Sequence, residues 1–266
     1  MSTSASHTFA ICAYKESPFL EECIRSLKNQ TTPSKIIMST ATPNDFIRNI
    51  AEKYGIPLYI NSGEKGITQD WNFAYSQADT DFITIAHQDD VYGKHYVETL
   101  FEMAKKVKKP LIFFTDYHEI REGQVVKSNT LLRIKRFLLF PLRPRFAWGS
   151  RFIRRRVLSM GSSICCPSVA FARKNVPAPV FMNHFRTNED WEAWERLSKL
   201  KGSFIYCRRP LVCHRIHEGS ETSEAIRETG RSAEDYEMFR KFWPGCIAKL
   251  LVKLYSKSEK SNSLQK

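Results

Sequence analysis

Residues 81–90 read DFITIAHQDD. An apolar run, Asp81–Ala86, stops abruptly at His87 and Gln88 and ends in two adjacent carboxylates, Asp89 and Asp90. The run reads as a short buried strand with a polar end. The same arrangement recurs along the chain. His7–Ala13 (HTFAICA) is an apolar strand broken at Tyr14-Lys15-Glu16-Ser17-Pro18, Lys35–Ser39 (KIIMS) is a second strand, Pro57–Ile60 a third, and Leu111–Thr115 (LIFFT) follows Asp81–Ala86. Helices separate them. One starts with Ser17 as N-cap and Pro18 at its first position, with Phe19, Leu20, Cys23, Ile24 and Leu27 on one face; the others are Asn44–Tyr54, Thr68–Ala78 and Lys94–Val107. This alternation predicts an α/β fold with a mixed, mostly parallel sheet and helices on both faces. Ligands of such sheets bind beyond the carboxyl ends of the strands, so residues 14–16, 39–42 and 87–90 should line one crevice.

After Asp116 the rhythm changes. His118–Val126 predicts a hairpin turning at Glu122-Gly123. Thr187–Leu200 reads as a helix, Phe204–Cys213 as a strand, and Glu224–Phe242 and Ile247–Tyr255 as helices before a polar tail, Ser256–Lys266, that reads as disordered. A division follows: residues 1–120 for the ligand-binding half, 121–223 for a second half, and 224–266 for a C-terminal helical extension and tail.

The 266 residues suffice for one large α/β domain or two small ones. Seven cysteines at irregular spacings suit a reducing compartment. Met1–His7 lacks the basic cluster and apolar run of a secretory signal, and no apolar run approaches the roughly 20 residues of a membrane-spanning helix. The expectation is a cytoplasmic protein. Its net charge of +13 is concentrated: between Gly123 and Asn188 there are 13 basic residues and no acidic one, and the rest of the chain is balanced. Such a segment suggests an anionic partner.

Three clusters could carry chemistry. Asp89 and Asp90 repel one another unless a divalent cation neutralises them, although either could instead cap the next helix. Asn188-Glu189-Asp190-Trp191 opens a helix, where acidic residues also answer the helix dipole. His214-Arg215-Ile216-His217, with Ser220 and Thr222, follows a strand; two histidines three apart are ordinary on a surface and are also common ligands.

In order and spacing these clusters resemble those of the inverting family 2 glycosyltransferases, which have the GT-A, Rossmann-like nucleotide-sugar-binding fold. Ala13-Tyr14-Lys15-Glu16 matches the family's Thr-x-Asn-Glu type of turn, Gly66–Asn72 (GITQDWN) its Gly-x-x-x-Ala-Arg-Asn helix start, and His87–Asp90 its Asp-x-Asp-Asp. Glu189-Asp190 matches its Glu-Asp dyad, and Arg215, His217, Ser220 and Thr222 its Arg-x-His-x-x-Ser-x-Thr. The departures are His87 for the family's first Asp, Ser39–Thr42 for its acidic base-reading site, and Trp71 for its Arg.

The resemblance implies transfer of a sugar, with inversion, from a nucleoside diphosphate sugar (a UDP-sugar being favoured) to a glycan or lipid-linked acceptor, as in polysaccharide biosynthesis. Asp190 would be the general base, with Glu189 orienting the acceptor. Asp89, Asp90 and His217 would hold Mn²⁺ or Mg²⁺ against the departing diphosphate. Ala13, Tyr14, Glu16, Thr40, Asp70, His87 and Gln88 would contact the donor, Tyr14 by stacking on the base.

Residues 131–157 interleave Arg with Leu, Phe and Trp148. They suit a peripheral place on an anionic membrane surface, at the inner face of the cell membrane, or a groove for an anionic acceptor; alternatively the arginines merely line the surface of an amphipathic helix. A nucleic-acid-binding module is a competing reading, but it lacks a recognition signature and leaves the acidic clusters unexplained, so no nucleic-acid partner is expected. A zinc-dependent sugar N-deacetylase is another, because Ala86–Asp90 is similar to an Ala-His-Pro-Asp-Asp motif that His214 and His217 could complete. That motif, however, follows a first strand and continues with Glu, whereas Val91 stands here. Cys207, Cys213, His214 and His217 lack the paired spacing of a structural zinc site.

Overall fold

The computed structural model describes residues 5–217 and 231–260. One nine-stranded sheet forms the centre. Its strands are β1 (His7–Cys12), β2 (Lys35–Thr40), β3 (Leu58–Ile60), β4 (Phe82–His87), β5 (Val91–Tyr92), β6 (Pro110–Arg121), β7 (Gln124–Val126), β8 (Val169–Ala172) and β9 (Ser203–Ile216), in the spatial order β3-β2-β1-β4-β8-β6-β9-β5, with β7 beside β6. The pairings β1/β2, β1/β4, β2/β3 and β6/β9 are parallel. Because β8 runs antiparallel to both β4 and β6, those two point the same way, and six of the nine strands share one direction.

The helices of the first half are α1 (Leu20–Lys28), α2 (Asp45–Tyr54), α3 (Ile67–Ser76) and α4 (Tyr96–Ala104). Each buries the stripe its periodicity foretells, as Leu20, Cys23, Ile24 and Leu27 do on α1. Asn44 caps α2 by accepting from the Ile47 N–H at 2.9 Å. Ser17 does not cap α1: the helix begins at Leu20, and Ser17 instead accepts from the Phe19 N–H at 3.3 Å in a local turn. The hairpin between β6 and β7 turns at Glu122 and Gly123, whose φ angles of 49° and 76° are those of a twist-matched two-residue turn.

The basic segment folds into α5 (Thr130–Leu138), two 3₁₀ turns (Phe140–Leu142 and Arg145–Gly149) and α6 (Arg151–Leu158), packed on one another. Beyond it come α7 (Glu189–Ser198), α8 (Arg231–Arg240) and α9 (Gly245–Lys260). The last helix extends five residues past the expected start of the tail; Ser220, Thr222 and the final residues of the chain lie outside the described residues. Asn72 ties the halves together: its side chain accepts from the Val180 and Phe181 N–H groups at 3.0 and 3.1 Å and donates to the Phe181 carbonyl at 2.8 Å.

His7 opens β1 inside the protein, with Ser34 Oγ at 2.6 Å and Thr84 Oγ1 at 3.0 Å from its ring nitrogens. Burial pushes its pKa down to about 3, so the fold holds it neutral. Above its unfolded value of about 6.5 both states are neutral, and stability is unaffected. As pH falls from there towards 3 the unfolded chain binds the proton and the fold does not, so stability drops. His7→Gln should remove about 2–3 kcal/mol of the loss between pH 7.5 and 4.5, as read by denaturant unfolding at the two pH values; an unchanged difference would contradict this.

Candidate active site

Cys12, the last residue of β1, pairs with Ser39 on one side and His87 on the other. The ends of β2, β1 and β4 therefore emerge in line, and the polar residues after them share one edge. Side chains knit these ends together. The Gln88 amide accepts from the Tyr14 N–H at 2.9 Å and donates to the Tyr14 carbonyl at 3.0 Å. Lys15 takes a left-handed φ of 53°, and its N–H donates to Thr42 Oγ1 at 2.7 Å; the Thr42 N–H in turn donates to Thr40 Oγ1 at 3.0 Å. Held in this way, the Tyr14 ring is half exposed, with the Lys15 ammonium 5.0 Å from its centroid. Asp70, in the first turn of α3, accepts from Asn61 Nδ2 at 2.7 Å; burial raises its pKa, and the Asn61 hydrogen bond opposes that rise. Glu16 is exposed on the same loop.

The acidic pair is divided by environment. Asp90 is fully buried, and its Oδ1 accepts from the Arg215 N–H at 2.8 Å and lies 3.0 Å from His214 Nδ1. Asp89 is more open, with Oδ2 3.0 Å from His217 Nε2. Neither carboxylate caps α4, whose N-cap is His95; β5 intervenes and pairs with β9, which brings residues 213–217 against the pair. Arg215 spans the gap: its Nε donates to the Asp89 carbonyl at 2.8 Å, its Nη2 meets Glu22 at 2.5 Å, and its guanidinium lies 4.2 Å over the Phe19 ring.

The field at this edge follows from that packing. Burial alone would raise Asp89, but the His217 hydrogen bond and the nearby His87 and His214 hold its pKa below the ordinary value. Burial pulls His214 down, yet the Asp90 charge and hydrogen bond outweigh it and raise the pKa. His87 is lowered by burial, against the pull of Asp90 and Asp89. It stacks on Trp71 with centroids 5.1 Å apart, and its buried Nε2 has no hydrogen-bond partner among the described residues.

His87, Asp89 and Asp90 offer one ligand atom each within 4.8 Å of one another, the one such group found among the described residues. Two carboxylates and an imidazole with an unsatisfied nitrogen fit a divalent cation. No such group includes Cys207 or Cys213.

Helix α7 supplies the other acids. Glu189 and Asp190 are its first two residues; Trp191 and Trp194 anchor it in the core, with Trp191 Nε1 donating to the Leu158 carbonyl at 3.0 Å. Ser162 Oγ donates to Asp190 Oδ2 at 3.4 Å. The Asp190 charge reaches His87, and together with Glu189 it bears on Cys166, whose thiol is raised first by burial and also feels Cys12. The ends of β1 and β4 and the start of α7 thus converge.

Of the residues singled out from sequence, Ala13, Tyr14, Thr40, His87, Gln88, Asp89, Asp90 and His217 gather at one edge, with Asp70 near the end of β1 and Glu189 and Asp190 approaching from α7. Sequence reasoning missed four. Trp71 was visible only as a departure from a motif, and Glu22, Asn61 and Ser162 carried no local signal. His214 and His217 do lie against the two aspartates, as a deacetylase would also require.

Residues 8–177 match the family described as glycosyl transferase family 2. No curated protein matches the chain. Among solved structures it is similar to S. aureus TarS 1-349 in complex with UDP-GlcNAc, at 12% identity over 97% of this chain and 73% of that one, with a TM-score of 0.63. It is also similar to the mannosyltransferase PcManGT from Pyrobaculum calidifontis in complex with GDP-Man and Mn²⁺, at 12% identity over 98% of this chain and 73% of that one, with a TM-score of 0.60. At these identities the likeness is one of fold, the GT-A fold of glycosyltransferases.

The two aspartates should separate by experiment. Asp90→Ala strands the buried Arg215 N–H and takes away the hydrogen-bond partner of His214, and should cost about 2–3 kcal/mol in denaturant unfolding. Asp89→Asn should cost about 1 kcal/mol or less, because it is partly open and the amide can still meet His217. Equal losses would contradict the division.

Proposed function

The chain belongs to glycosyl transferase family 2, and on that premise we propose that it moves a sugar, with inversion, from a nucleoside diphosphate sugar to a hydroxyl of a glycan or lipid-linked acceptor. The observation that carries this reading is the strand edge itself: His87, Asp89 and Asp90 offer ligand atoms within 4.8 Å of one another at the end of β4, beside the half-exposed Tyr14 at the end of β1, and the Asp190 charge on α7 bears on His87. Two acidic groups facing one crevice from different elements suit a displacement that needs charge neutralised on one side and a proton removed on the other.

Asp190 accepts the proton of the acceptor hydroxyl as its oxygen bonds to the anomeric carbon. The bond from that carbon to the diphosphate oxygen breaks, and the nucleoside diphosphate leaves with the electron pair. Ser162 steadies the Asp190 carboxylate, and Glu189, next to it on α7, orients the acceptor. Tyr14 stacks on the base, with Ala13, Glu16, Thr40, Asp70 and Gln88 around the nucleoside; a UDP-sugar is the favoured donor. Asp89 and Asp90 would hold the cation with His87, in place of the His217 expected from sequence, because His87 is the histidine grouped with the two carboxylates; His217 fixes Asp89 through its hydrogen bond. When bound, Mn²⁺ supplies positive charge to the departing diphosphate. The setting we infer is the cytoplasm, at the inner face of a membrane.

The family match decides against the deacetylase reading, which has no need of a nucleotide-sugar fold. In the wild type, UDP with Mn²⁺ should raise the melting temperature more than either alone. Asp190→Asn should keep that shift while UDP release from a panel of UDP-sugars falls about 10²–10⁴-fold. Asp89→Asn should lose the Mn²⁺-dependent part of the shift. An Asp190→Asn variant that turns over normally would remove the base from this account, and stabilisation by zinc without any nucleotide would restore the hydrolase.

A further inference from the structure

The basic arm turns its aromatic side chains outward. Leu132, Leu139, Leu142, Trp148 and Val157 are buried beneath it, yet Phe137, Phe140, Phe146 and Phe152 are 77%, 57%, 82% and 72% exposed. Single exposed apolar residues are common, but four exposed phenylalanines on one arm of short elements packed against one another exceed that ordinary scatter. Cations lie among them: Arg133, Arg143 and Arg151 are exposed and, among the described residues, make no ion pair, and Arg143 lies 4.6 Å over the Phe140 ring. Of the arm's other arginines, Arg136 pairs with Asp116, Arg155 with Glu195, and Arg154 is buried against the Leu200 and Gly202 carbonyls, while exposed Arg145 donates to the Lys106 carbonyl and Arg156 lies over the Phe152 ring.

A second segment, distant in sequence, adds further exposed apolar side chains. Helix α9 shows Ile247, Leu250 and Leu254 on one exposed face, with Lys249 between them, while Ala248 and Leu251 face the core. The two segments meet at the residues after α6. Trp243 Nε1 donates to the Ser159 carbonyl at 2.7 Å, Arg156 lies 4.9 Å over the Trp243 ring, and a Cβ on Gly161 would meet the Tyr255 ring at 2.7 Å. Exposed Met160 sits at this junction. One residue further on from Gly161 is Ser162, which donates to Asp190.

We propose that the outer faces of the α5–α6 arm and of α9 form a docking surface for an anionic lipid bilayer. The mixture identifies the occupant. Aromatic rings with arginines would also suit single-stranded nucleic acid, but the exposed Ile134, Met160, Leu250 and Leu254 offer bases nothing to stack on and dissolve readily at the acyl boundary. A second copy of the chain would set one unpaired basic face against another. Phenylalanines entering the boundary while arginines meet anionic headgroups satisfies both halves of the surface. Docked in this way, the loop that carries Ser162 lies close behind the surface, so a lipid-linked acceptor would enter from the Asp190 side. That last step rests on the reading of Asp190 given above; the docking surface does not.

The test is flotation of the full chain with vesicles of phosphatidylcholine alone or with about 30 mol % phosphatidylglycerol. The wild type should float with the anionic vesicles only, and detach as salt rises. Phe146→Ser/Phe152→Ser/Leu250→Ser should weaken flotation about tenfold, as should the charge reversal Arg151→Glu in a protein whose melting temperature is unchanged. All variants should keep the melting shift with UDP and Mn²⁺. A wild type that stays soluble with anionic vesicles at low salt would overturn the proposal, as would variants that float undiminished. So would retention on single-stranded RNA in place of vesicles, or a dimer that the same substitutions dissolve. Flotation without any nucleotide response would leave the docking surface standing and remove the transferase reading instead.

Discussion

One buried carboxylate holds the crevice together. Asp90 has no contact with water, and it accepts from the backbone of Arg215 while lying against His214. A charge at that depth persists only where donors surround it, so the end of β9 must run beside the turn after β4. Everything else at the edge inherits this constraint. Arg215 is delivered to the Asp89 carbonyl and Glu22, and His217 to the Asp89 side chain. The short strand β5, paired with β9, is the local consequence.

The same constraint separates two carboxylates that are adjacent in sequence. Asp90 is committed inward, and Asp89 remains partly open, with its pKa held down by the groups around it. Such division of labour by environment is how neighbouring acids acquire different tasks. His87 occupies a third environment, pressed on Trp71 with one nitrogen unsatisfied. It stands where the family resemblance expects an aspartate, and Trp71 where it expects an arginine. The two replacements stack on one another and together form one stretch of wall beside the aspartates.

Much of the first half was legible in sequence because its signals are local. Apolar runs of five to seven residues ending in polar turns give β1, β2 and β4, and helical periodicity gives α2 almost to the residue and the buried face of α1, though not its start. The strand-end rule then foretold which loops would meet. What stayed hidden depends on contacts between residues far apart. β8 is four residues, Val169–Ala172, whose strand character comes from lying between β4 and β6; β5 is two residues that exist as a strand only beside β9. Ser17 has the chemistry of a cap, but it turns the chain before the helix begins. Ser162 reaches Asp190 from a loop 28 positions away, and no pattern around it announces the contact. The division of the chain at residue 120 falls inside β6, which serves the one continuous sheet.

The central claim is that the carboxylates of residues 89 and 190 act on one bound donor from opposite sides. A crystal structure of the wild-type protein grown with UDP and Mn²⁺ tests it most directly. The account predicts anomalous density for the cation beside Asp89 and His87, the uracil against Tyr14, and the Asp190 carboxylate facing the diphosphate across an open acceptor channel. Nucleotide bound elsewhere, or Asp190 turned away from it with no path for an acceptor between them, would contradict the account.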